Sequence, residues 1–205
     1  MNKEKELIDK LIDLAFAEDI GDGDHTTLSC IPATAMGKSK LLIKEAGVLA
    51  GIEVAKEIFN RFDPSMKVEV FINDGTEVKP GDVAMIVEGK VQSLLQTERL
   101  MLNVMQRMSG IATMTRKYAR QLEGTHTRVL DTRKTTPGMR ILEKMAVKIG
   151  GGVNHRIGLF DMILLKDNHV DFAGGIDKAI TRAKEYCKEK GKDLKIEIEV
   201  RNFDE

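Results

Sequence analysis

Cationic side chains are concentrated in three short polar segments of this chain, with one more upstream. The six residues are Arg99, Arg133, Lys134, His155, Arg156 and Lys166. The 205-residue chain has 32 basic and 32 acidic residues, so a general excess of basic residues does not explain the cluster. Guanidinium groups form forked hydrogen bonds with carboxylates and phosphates, and lysine adds a compact point charge. These residue types predict a pocket for a small polyanion.

The elements that must position these residues alternate between β-type and α-type patterns. Strands are predicted at 128–130, 162–165 and 194–200, and helices at 139–149 and 176–188. This order implies right-handed crossovers and a parallel sheet. Sites in parallel α/β folds form at the carboxyl ends of strands. The segments 131–134 and 166–169 directly follow two of the predicted strands, which makes them candidate site residues.

Two carboxylates and three glycines accompany the basic residues. Glu197 and Glu199 are two residues apart on a predicted strand and therefore share a face. They either hold a lysine, bind Mg²⁺ or a ribose hydroxyl, stabilise a cationic transition state, or simply face solvent. The glycines at 150–152 either end the preceding helix in left-handed geometry or let backbone N–H groups approach an anion.

The first half of the chain has less obvious chemistry. Helices are predicted at 4–19, 52–62 and 91–122, the last with a break near Ser109-Gly110 as an alternative, and strands within 38–50, 67–72 and 83–87. The methionines of the long helix indicate core or subunit interface. Segment 18–27 lacks the spacing of a calcium loop and is predicted to form a turn capped by Asp and Thr side chains.

Bulk properties exclude several classes of protein. A sequence pI of about 6.9 argues against a nucleic-acid partner. No apolar run approaches the roughly 18 residues of a membrane span, and the charged N-terminus does not resemble a signal peptide. Cys30 and Cys187 are far apart without metal-ligand spacing, which favours reduced thiols in a cytoplasmic protein.

With these motifs in view, the chain resembles the quinolinate phosphoribosyltransferases, also called carboxylating nicotinate-nucleotide pyrophosphorylases. The motifs are EDIGDGDHTT at 18–27, ERLMLNVMQRMSGIAT at 98–113, DTRKTTPG at 131–138, GGGVNHRIGLFDMILLKDNH at 150–169 and IEIEV at 196–200. They follow the family's order over nearly the whole chain. The resemblance implies a pentosyltransferase of NAD biosynthesis. Such an enzyme converts quinolinate and phosphoribosyl pyrophosphate, with Mg²⁺, to nicotinate mononucleotide, pyrophosphate and carbon dioxide.

The resemblance also implies roles for individual residues. Those expected to contact the quinolinate carboxylates are Arg99, Arg133, Lys134, His155, Arg156 and Lys166. Arg99 would reach over from the partner subunit of a homodimer. Lys134, Lys166 and Glu199 are the implied catalytic residues. Glu199 would stand on the ribose side, where positive charge develops as pyrophosphate leaves, and Mg²⁺ would be carried mainly by the substrate.

The implied fold is α/β, with an N-terminal α/β sandwich followed by an open, TIM-like α/β barrel. Residues 1–108, including most of the long connecting helix, would form the sandwich, and residues 109–205 the first part of the barrel. A complete barrel of this type takes about 250 residues. Because only three barrel strands are predicted, the chain is expected to be part of a longer protein and inactive alone.

Other functions remain open at this point. One is a related phosphoribosyltransferase-like protein for another aromatic acid, and another is a non-catalytic binder of pyridine dicarboxylates. The V-K-P-G-D hairpin near residue 80 also suggests a biotin- or lipoyl-type carrier. A carrier would not need the alternating second half of the chain, so this alternative is disfavoured.

Overall fold

The computed structural model describes residues 3–205, which contain seven helices and seven strands. The helices are α1 (Lys3–Asp19), α2 (His25–Cys30), α3 (Ile52–Phe62), α4 (Val91–Gln121), α5 (Arg140–Ile149), α6 (Asp167–Ala173) and α7 (Ile176–Glu189). The strands are β1 (Met36–Leu42), β2 (Gly47–Val48), β3 (Lys67–Val70), β4 (Glu77–Val78), β5 (Val83–Lys90), β6 (Ile163–Leu165) and β7 (Ile196–Ile198). Internal contacts divide the chain into two compact units, the first ending at Asn154 and the second comprising His155–Glu205.

The first unit is built on a three-stranded antiparallel sheet in the order β1-β5-β3, with a separate β2-β4 ladder. Buried side chains alternate along much of β5, as expected for a strand with one face on the core. The core combines this face with apolar residues of α3 and α4. The predicted helix at 52–62 is confirmed. The β-region at 38–50 is divided into two strands by residues 43–46, which are irregular.

Helix α4 is continuous over 31 residues, so the alternative of a break near Gly110 is wrong. Met101, Met105 and Met108 are buried on its core face, which confirms that the methionine stripe is core. Glycine costs a helix only about 1 kcal/mol relative to alanine. The apolar stripe packed on both sides of Gly110 outweighs that cost.

The start of α3 depends on a residue from another part of the chain. Gly51 precedes the helix with φ of 108°, and an added Cβ would lie 3.2 Å from atoms of Met105 and Met108. Asp74 supplies the missing cap, because its Oδ1 accepts a hydrogen bond from Ile52 N at 2.9 Å. Burial of Asp74 raises the pKa of its carboxyl group above the ordinary value.

The strand predicted at 128–130 is reduced to a single parallel bridge between Leu130 and Val153. Asp131 N donates to Val153 O at 3.1 Å, and Val153 N donates to Val129 O at 2.8 Å. These two bonds set the parallel direction, but the preceding residues are exposed and no second strand partner extends the ladder within the described chain. The prediction was therefore right in direction and wrong in extent.

The second unit is a parallel crossover. Strands β6 and β7 pair in parallel with Leu165 opposite Ile198, and α6 and α7 connect them. A small core forms from Leu165, Val170, Ala179 and Ala183. The predicted parallel pairing is confirmed. No helix was predicted between the strand at 162–165 and the helix at 176–188, but α6 begins there at Asp167 with Lys166 as its N-cap.

Two further expectations concern the whole chain. Within residues 3–205, every helix is too short or too polar to cross a membrane. Cys30 and Cys187 are both free thiols, as predicted.

Candidate active site

The first group of candidate residues lies on the loop that follows the Leu130 bridge. At the start of this loop, Asp131 Oδ1 accepts a hydrogen bond from Lys144 Nζ of α5 at 2.5 Å. Only 8% of the Asp131 side chain and 3% of the Lys144 side chain are exposed. A buried lysine is costly unless it is paired and hydrogen-bonded. The pair therefore fixes the point from which the loop departs.

Asn154 completes this anchor from the neighbouring segment. In the orientation that its acceptor neighbours require, its amide nitrogen lies 2.9 Å from Asp131 Oδ2 and 2.9 Å from the Lys144 carbonyl oxygen. Asn154 follows Val153, the bridge partner of Leu130. One amide thus links the bridge, the loop and α5.

A second anchor holds the middle of the loop. Glu143 of α5 accepts hydrogen bonds at Oε1 from Arg107 Nη2 at 2.6 Å and from Arg107 Nε at 3.1 Å. Arg107 Nη2 also donates to Thr136 Oγ1 at 2.7 Å. Thr136 N donates to Glu143 Oε2 at 3.4 Å. The carboxylate and the guanidinium together hold both the backbone and the side chain of Thr136.

Arg133 and Lys134 lie between the two anchors. Arg133 is half-buried, and its Nε is buried without a hydrogen-bond partner among the described residues. Lys134 is exposed, and its backbone N donates to Thr132 Oγ1 at 3.0 Å. A guanidinium with an unused buried donor beside an exposed ammonium is suited to an anion.

The three glycines have a structural role. The N–H groups of Gly150, Gly151 and Gly152 donate to the carbonyls of Ala146, Lys148 and Val147. A Cβ on Gly150 would lie 2.5 Å from the carbonyl oxygen of Ala112 in α4. The glycines therefore end α5 and permit its close approach to α4, and their amides are already occupied by the helix end.

The second group of candidate residues begins the second unit. His155 Nε2 lies 3.1 Å from Glu197 Oε2, and 15% of the histidine side chain is exposed. Arg156 is buried, and its Nη1 donates to Met162 O at 3.3 Å. No carboxylate within 4 Å of the Arg156 guanidinium is found in the part of the chain that the structure describes.

Lys166 and Glu199 meet at the carboxyl ends of β6 and β7. Glu199 N donates to Leu165 O at 2.9 Å, which places the two side chains at neighbouring strand ends. Lys166 Nζ lies 3.0 Å from Glu199 Oε1, and both side chains are about half exposed. The interpretation that a carboxylate of this strand holds a lysine is supported. His169 has a local role, because its Nδ1 accepts a hydrogen bond from Lys166 N at 3.0 Å.

The remaining predicted residue, Arg99, is exposed on α4 and has no ion-pair partner among residues 3–205. Sequence reasoning missed the anchoring residues Arg107, Glu143 and Lys144. Local spacing gave no signal for them. The apolar residues of α5 share one face, and Glu143 and Lys144 fall on the opposite side, where an exposed position is expected.

The described residues contain no group of three or more His, Cys, Asp or Glu side chains able to hold a metal ion. In the second unit, Glu197 lies beside the His155 ring and Glu199 beside the Lys166 ammonium group. A lone carboxylate beside a substrate phosphate is a common setting for Mg²⁺.

Comparison with known proteins assigns the family. Residues 24–109 match the N-terminal domain of quinolinate phosphoribosyl transferase, and residues 111–205 match its C-terminal domain. The chain is 46% identical over 197 residues to quinolinate phosphoribosyltransferase [decarboxylating] 1b of Nicotiana tabacum, covering 95% of this chain and 55% of the relative. It is 42% identical over 199 residues to a probable carboxylating nicotinate-nucleotide pyrophosphorylase of Synechocystis, covering 97% of this chain and 66% of the relative.

Solved structures agree with this assignment. The crystal structure of NadC from Streptococcus pyogenes superposes with a TM-score of 0.88 at 40% identity, over 95% of this chain and 68% of that one. The nicotinate-nucleotide pyrophosphorylase of Francisella tularensis gives a TM-score of 0.87 at 38% identity, over 97% of this chain and 69% of that one.

These relatives also define the architecture. The chain spans about half the length of the plant relatives it matches. Its fold is an N-terminal α/β sandwich followed by an incomplete, open TIM-like α/β barrel. By sequence, domain composition and fold, the chain belongs to the quinolinate phosphoribosyltransferase family.

Proposed function

We propose that the protein to which this chain belongs transfers a phosphoribosyl group to quinolinate and decarboxylates the product. In this reaction the pyridine nitrogen bonds to C1′ of phosphoribosyl pyrophosphate as pyrophosphate leaves with the bonding electron pair. The carboxylate next to the ring nitrogen then leaves as carbon dioxide, and the ring carbon takes up a proton. The names of the relatives support this activity, and so does the loop that carries Arg133 and Lys134.

The observation that carries the proposal is the unused buried Nε of Arg133 beside the exposed Lys134. Quinolinate has two adjacent carboxylates, so its recognition needs several fixed cations. We assign its carboxylates to Arg133, Lys134, His155, Arg156 and Lys166. Arginine supplies forked hydrogen bonds, and the planar geometry favours a carboxylate over a chloride or a water.

Lys134, Lys166 and Glu199 are the proposed catalytic residues. The Lys166–Glu199 pair is exposed at the strand ends, where its charges are available to a ligand. Positive charge develops on the ribose as pyrophosphate leaves, and a fixed carboxylate such as Glu199 would stabilise it. Lysine ammonium groups would keep the departing carboxylate oriented until the ring nitrogen is alkylated.

A homodimer is proposed from the position of Arg99. Arg99 is exposed on α4, eight residues or about 12 Å along the helix axis from Arg107, which contacts the loop. An arginine at this distance is better placed to serve a second copy of the chain than its own loop. We therefore propose that Arg99 reaches quinolinate in the partner subunit.

Mg²⁺ is proposed to arrive with phosphoribosyl pyrophosphate. The protein offers no dedicated cluster of metal ligands within residues 3–205, which is compatible with a metal held mainly by substrate phosphates. When bound, Mg²⁺ would neutralise charge on the pyrophosphate group. Glu199 is the residue of this chain that we propose to face it.

The domain boundary at 108/109 and a cytoplasmic location are also proposals. The family matches change at residues 109–111, inside α4, which supports a sandwich domain that ends within the long helix. A location in the cytoplasm is proposed from the cyanobacterial relative. Several plant relatives are named mitochondrial or chloroplastic, so location varies within the family.

One alternative follows from the coverage of the relatives. A chain spanning about half their length could bind pyridine dicarboxylates without turning them over. The test is release of labelled carbon dioxide from carboxyl-labelled quinolinate by the natural full-length protein and by the 205-residue chain. We expect release that requires phosphoribosyl pyrophosphate from the former and none from the latter.

Substitution identifies the residues responsible for that release. Lys134→Ala is expected to abolish it, whereas Lys192→Ala, which removes another exposed lysine, should leave it unchanged. No quinolinate-dependent release from the unmodified full-length protein would contradict the proposed function.

A further inference from the structure

Helix α5 carries two adjacent charged residues that are almost completely buried. Glu143 is 8% exposed and Lys144 is 2% exposed. Neighbouring helical residues point about 100° apart, so the two side chains reach different places. Burying opposite charges side by side on one helix is costly unless each has its own partner. Both partners of these residues involve the same loop.

Lys144 holds the beginning of the loop. Its ammonium group binds Asp131, the first residue after the Leu130 bridge, at 2.5 Å. Breaking a buried pair by removing one charge leaves the other unpaired in the interior. The pair therefore holds Asp131 in one position, and it restrains the backbone at the start of the loop.

Glu143 holds the loop five residues later. It acts partly through Arg107, whose Nη2 bridges Glu143 Oε1 at 2.6 Å and Thr136 Oγ1 at 2.7 Å. A guanidinium held at two nitrogens by a carboxylate cannot rotate freely. The position of Thr136 is thereby set by a residue of α5 and a residue of α4.

Between these anchors the loop has no helix or strand of its own, and it carries Arg133 and Lys134. We propose that Glu143 and Lys144 are positioning residues that set the geometry of Arg133 and Lys134 for the substrate carboxylates. They touch no substrate themselves. The substrate part of this proposal rests on the proposed function, whereas the ordering of the loop can be tested without any ligand.

The proposal predicts an effect that is selective for one substrate. A misplacement of about 1 Å in a positioning group can cost about 100-fold in activity. Loosening either anchor should weaken quinolinate binding about 10- to 100-fold while leaving the affinity for phosphoribosyl pyrophosphate within about twofold. A general loss of structure would weaken both substrates together.

The experiment compares variants of the natural full-length protein by calorimetric titration with quinolinate and, separately, with phosphoribosyl pyrophosphate. Glu143→Gln keeps the shape of the side chain and removes its charge. Glu77→Gln is the matched control, because Glu77 also binds arginines of α4, namely Arg116 and Arg120, away from the loop. We expect weak quinolinate binding only for Glu143→Gln. Equal quinolinate affinity in both variants would overturn the proposal.

A milder variant and a ligand-free measurement keep the test decisive. Thr136 is exposed, so Thr136→Val should fold and lose only the bond from Arg107, weakening quinolinate binding about threefold to tenfold. Amide hydrogen exchange of residues 132–136 should be faster in Glu143→Gln than in the unmodified protein without ligand. Unchanged exchange would refute the positioning role. Absence of quinolinate binding by the unmodified protein, with exchange accelerated as expected, would refute only the proposed function.

Discussion

The two groups of candidate residues use ion pairs in opposite ways. In the first unit the Lys144–Asp131 pair is buried on both sides, with side chains 3% and 8% exposed, and Glu143 is 10% exposed although its partner Arg107 is 49% exposed. These pairs support the loop that carries the residues proposed to bind substrate. In the second unit the candidate residues themselves form the contacts. Lys166 and Glu199 are 45% and 53% exposed, whereas His155 is 15% exposed beside the half-exposed Glu197. Buried pairs fix geometry, because breaking them is expensive. Exposed pairs contribute about 0–1 kcal/mol and can be exchanged for a ligand.

The largest expected effect on stability belongs to the buried Lys144–Asp131 pair. Lys144→Met removes the partner of Asp131 and should lower the free energy of unfolding by about 3 kcal/mol. Denaturant unfolding measures the change. Asp131→Asn in the Lys144→Met background should recover part of the loss, since no unpaired charge then remains. A change below about 0.5 kcal/mol for Lys144→Met would show that this pair does not anchor the loop.

A smaller effect is expected at Asp74, a half-buried carboxylate that binds backbone instead of a cation. Asp74→Ala removes the acceptor at the start of α3 and should cost about 1–2 kcal/mol. Asp74→Asn keeps an oxygen acceptor without a charge and should be at least as stable as the unmodified protein at neutral pH. Thermal unfolding of the two variants at pH 7 separates the effect of the oxygen acceptor, which only Asp74→Ala removes, from the effect of the charge, which both variants remove. An equal loss of stability in both variants would contradict the capping role.

The pH dependence of stability should distinguish two aspartates. The pKa of Asp74 is raised by burial, so its contribution is fully present below its ordinary value of 3.8 and is lost as pH rises through the higher native value. The pKa of Asp63 is lowered, mainly by the hydroxyls of Ser65 and Ser93, so its contribution is present above 3.8 and is lost as pH falls below that value. Unfolding free energies from pH 2 to 7 for Asp74→Asn and Asp63→Asn should therefore change slope in opposite senses. Identical curves for the two variants would contradict these assignments.

The smallest expected effect on stability belongs to the exposed pair. Glu199→Gln should change the free energy of unfolding by less than about 1 kcal/mol, because its partner Lys166 remains hydrated. Denaturant unfolding provides the measurement, with Glu189→Gln as a control that removes the partner of Lys190, a glutamate whose side chain is 72% exposed against 53% for Glu199. A loss near that of Lys144→Met would remove the distinction between the two groups of residues.

Periodic apolar spacing predicted the elements that bury a continuous face, such as α3, α4 and α7. Helices α2 and α6, which have six and seven residues, were not predicted, because side-chain caps decide whether helices this short form. Helix α2 depends on Asp24, whose side chain accepts from Thr27 N at 3.0 Å, and α6 begins where His169 binds the backbone of Lys166. The predicted strand at 128–130 has strand-like residues, but a ladder needs partners that sequence patterns do not supply.

Residue type and motif identified the candidate residues, but they did not identify Glu143 and Lys144, which anchor the loop. Arg133, Lys134 and Lys166 stand in the motifs at 131–138 and 150–169 through which the sequence resembles the family. Glu143 and Lys144 interact with residues 36 and 13 positions earlier in the chain, and such distant partners cannot be read from local spacing. Their partners became visible only when α4, α5 and the loop were placed in three dimensions.

We propose that the loop bearing Arg133 and Lys134 serves a ligand with two carboxylates. Calorimetric titration of the full-length protein with quinolinate and with nicotinate, which has one carboxylate, tests it most directly. We predict that quinolinate binds at least about 100-fold more tightly, and that Arg133→Ala removes most of the difference. Equal affinities for the two pyridines, or a preference that survives Arg133→Ala unchanged, would contradict the claim.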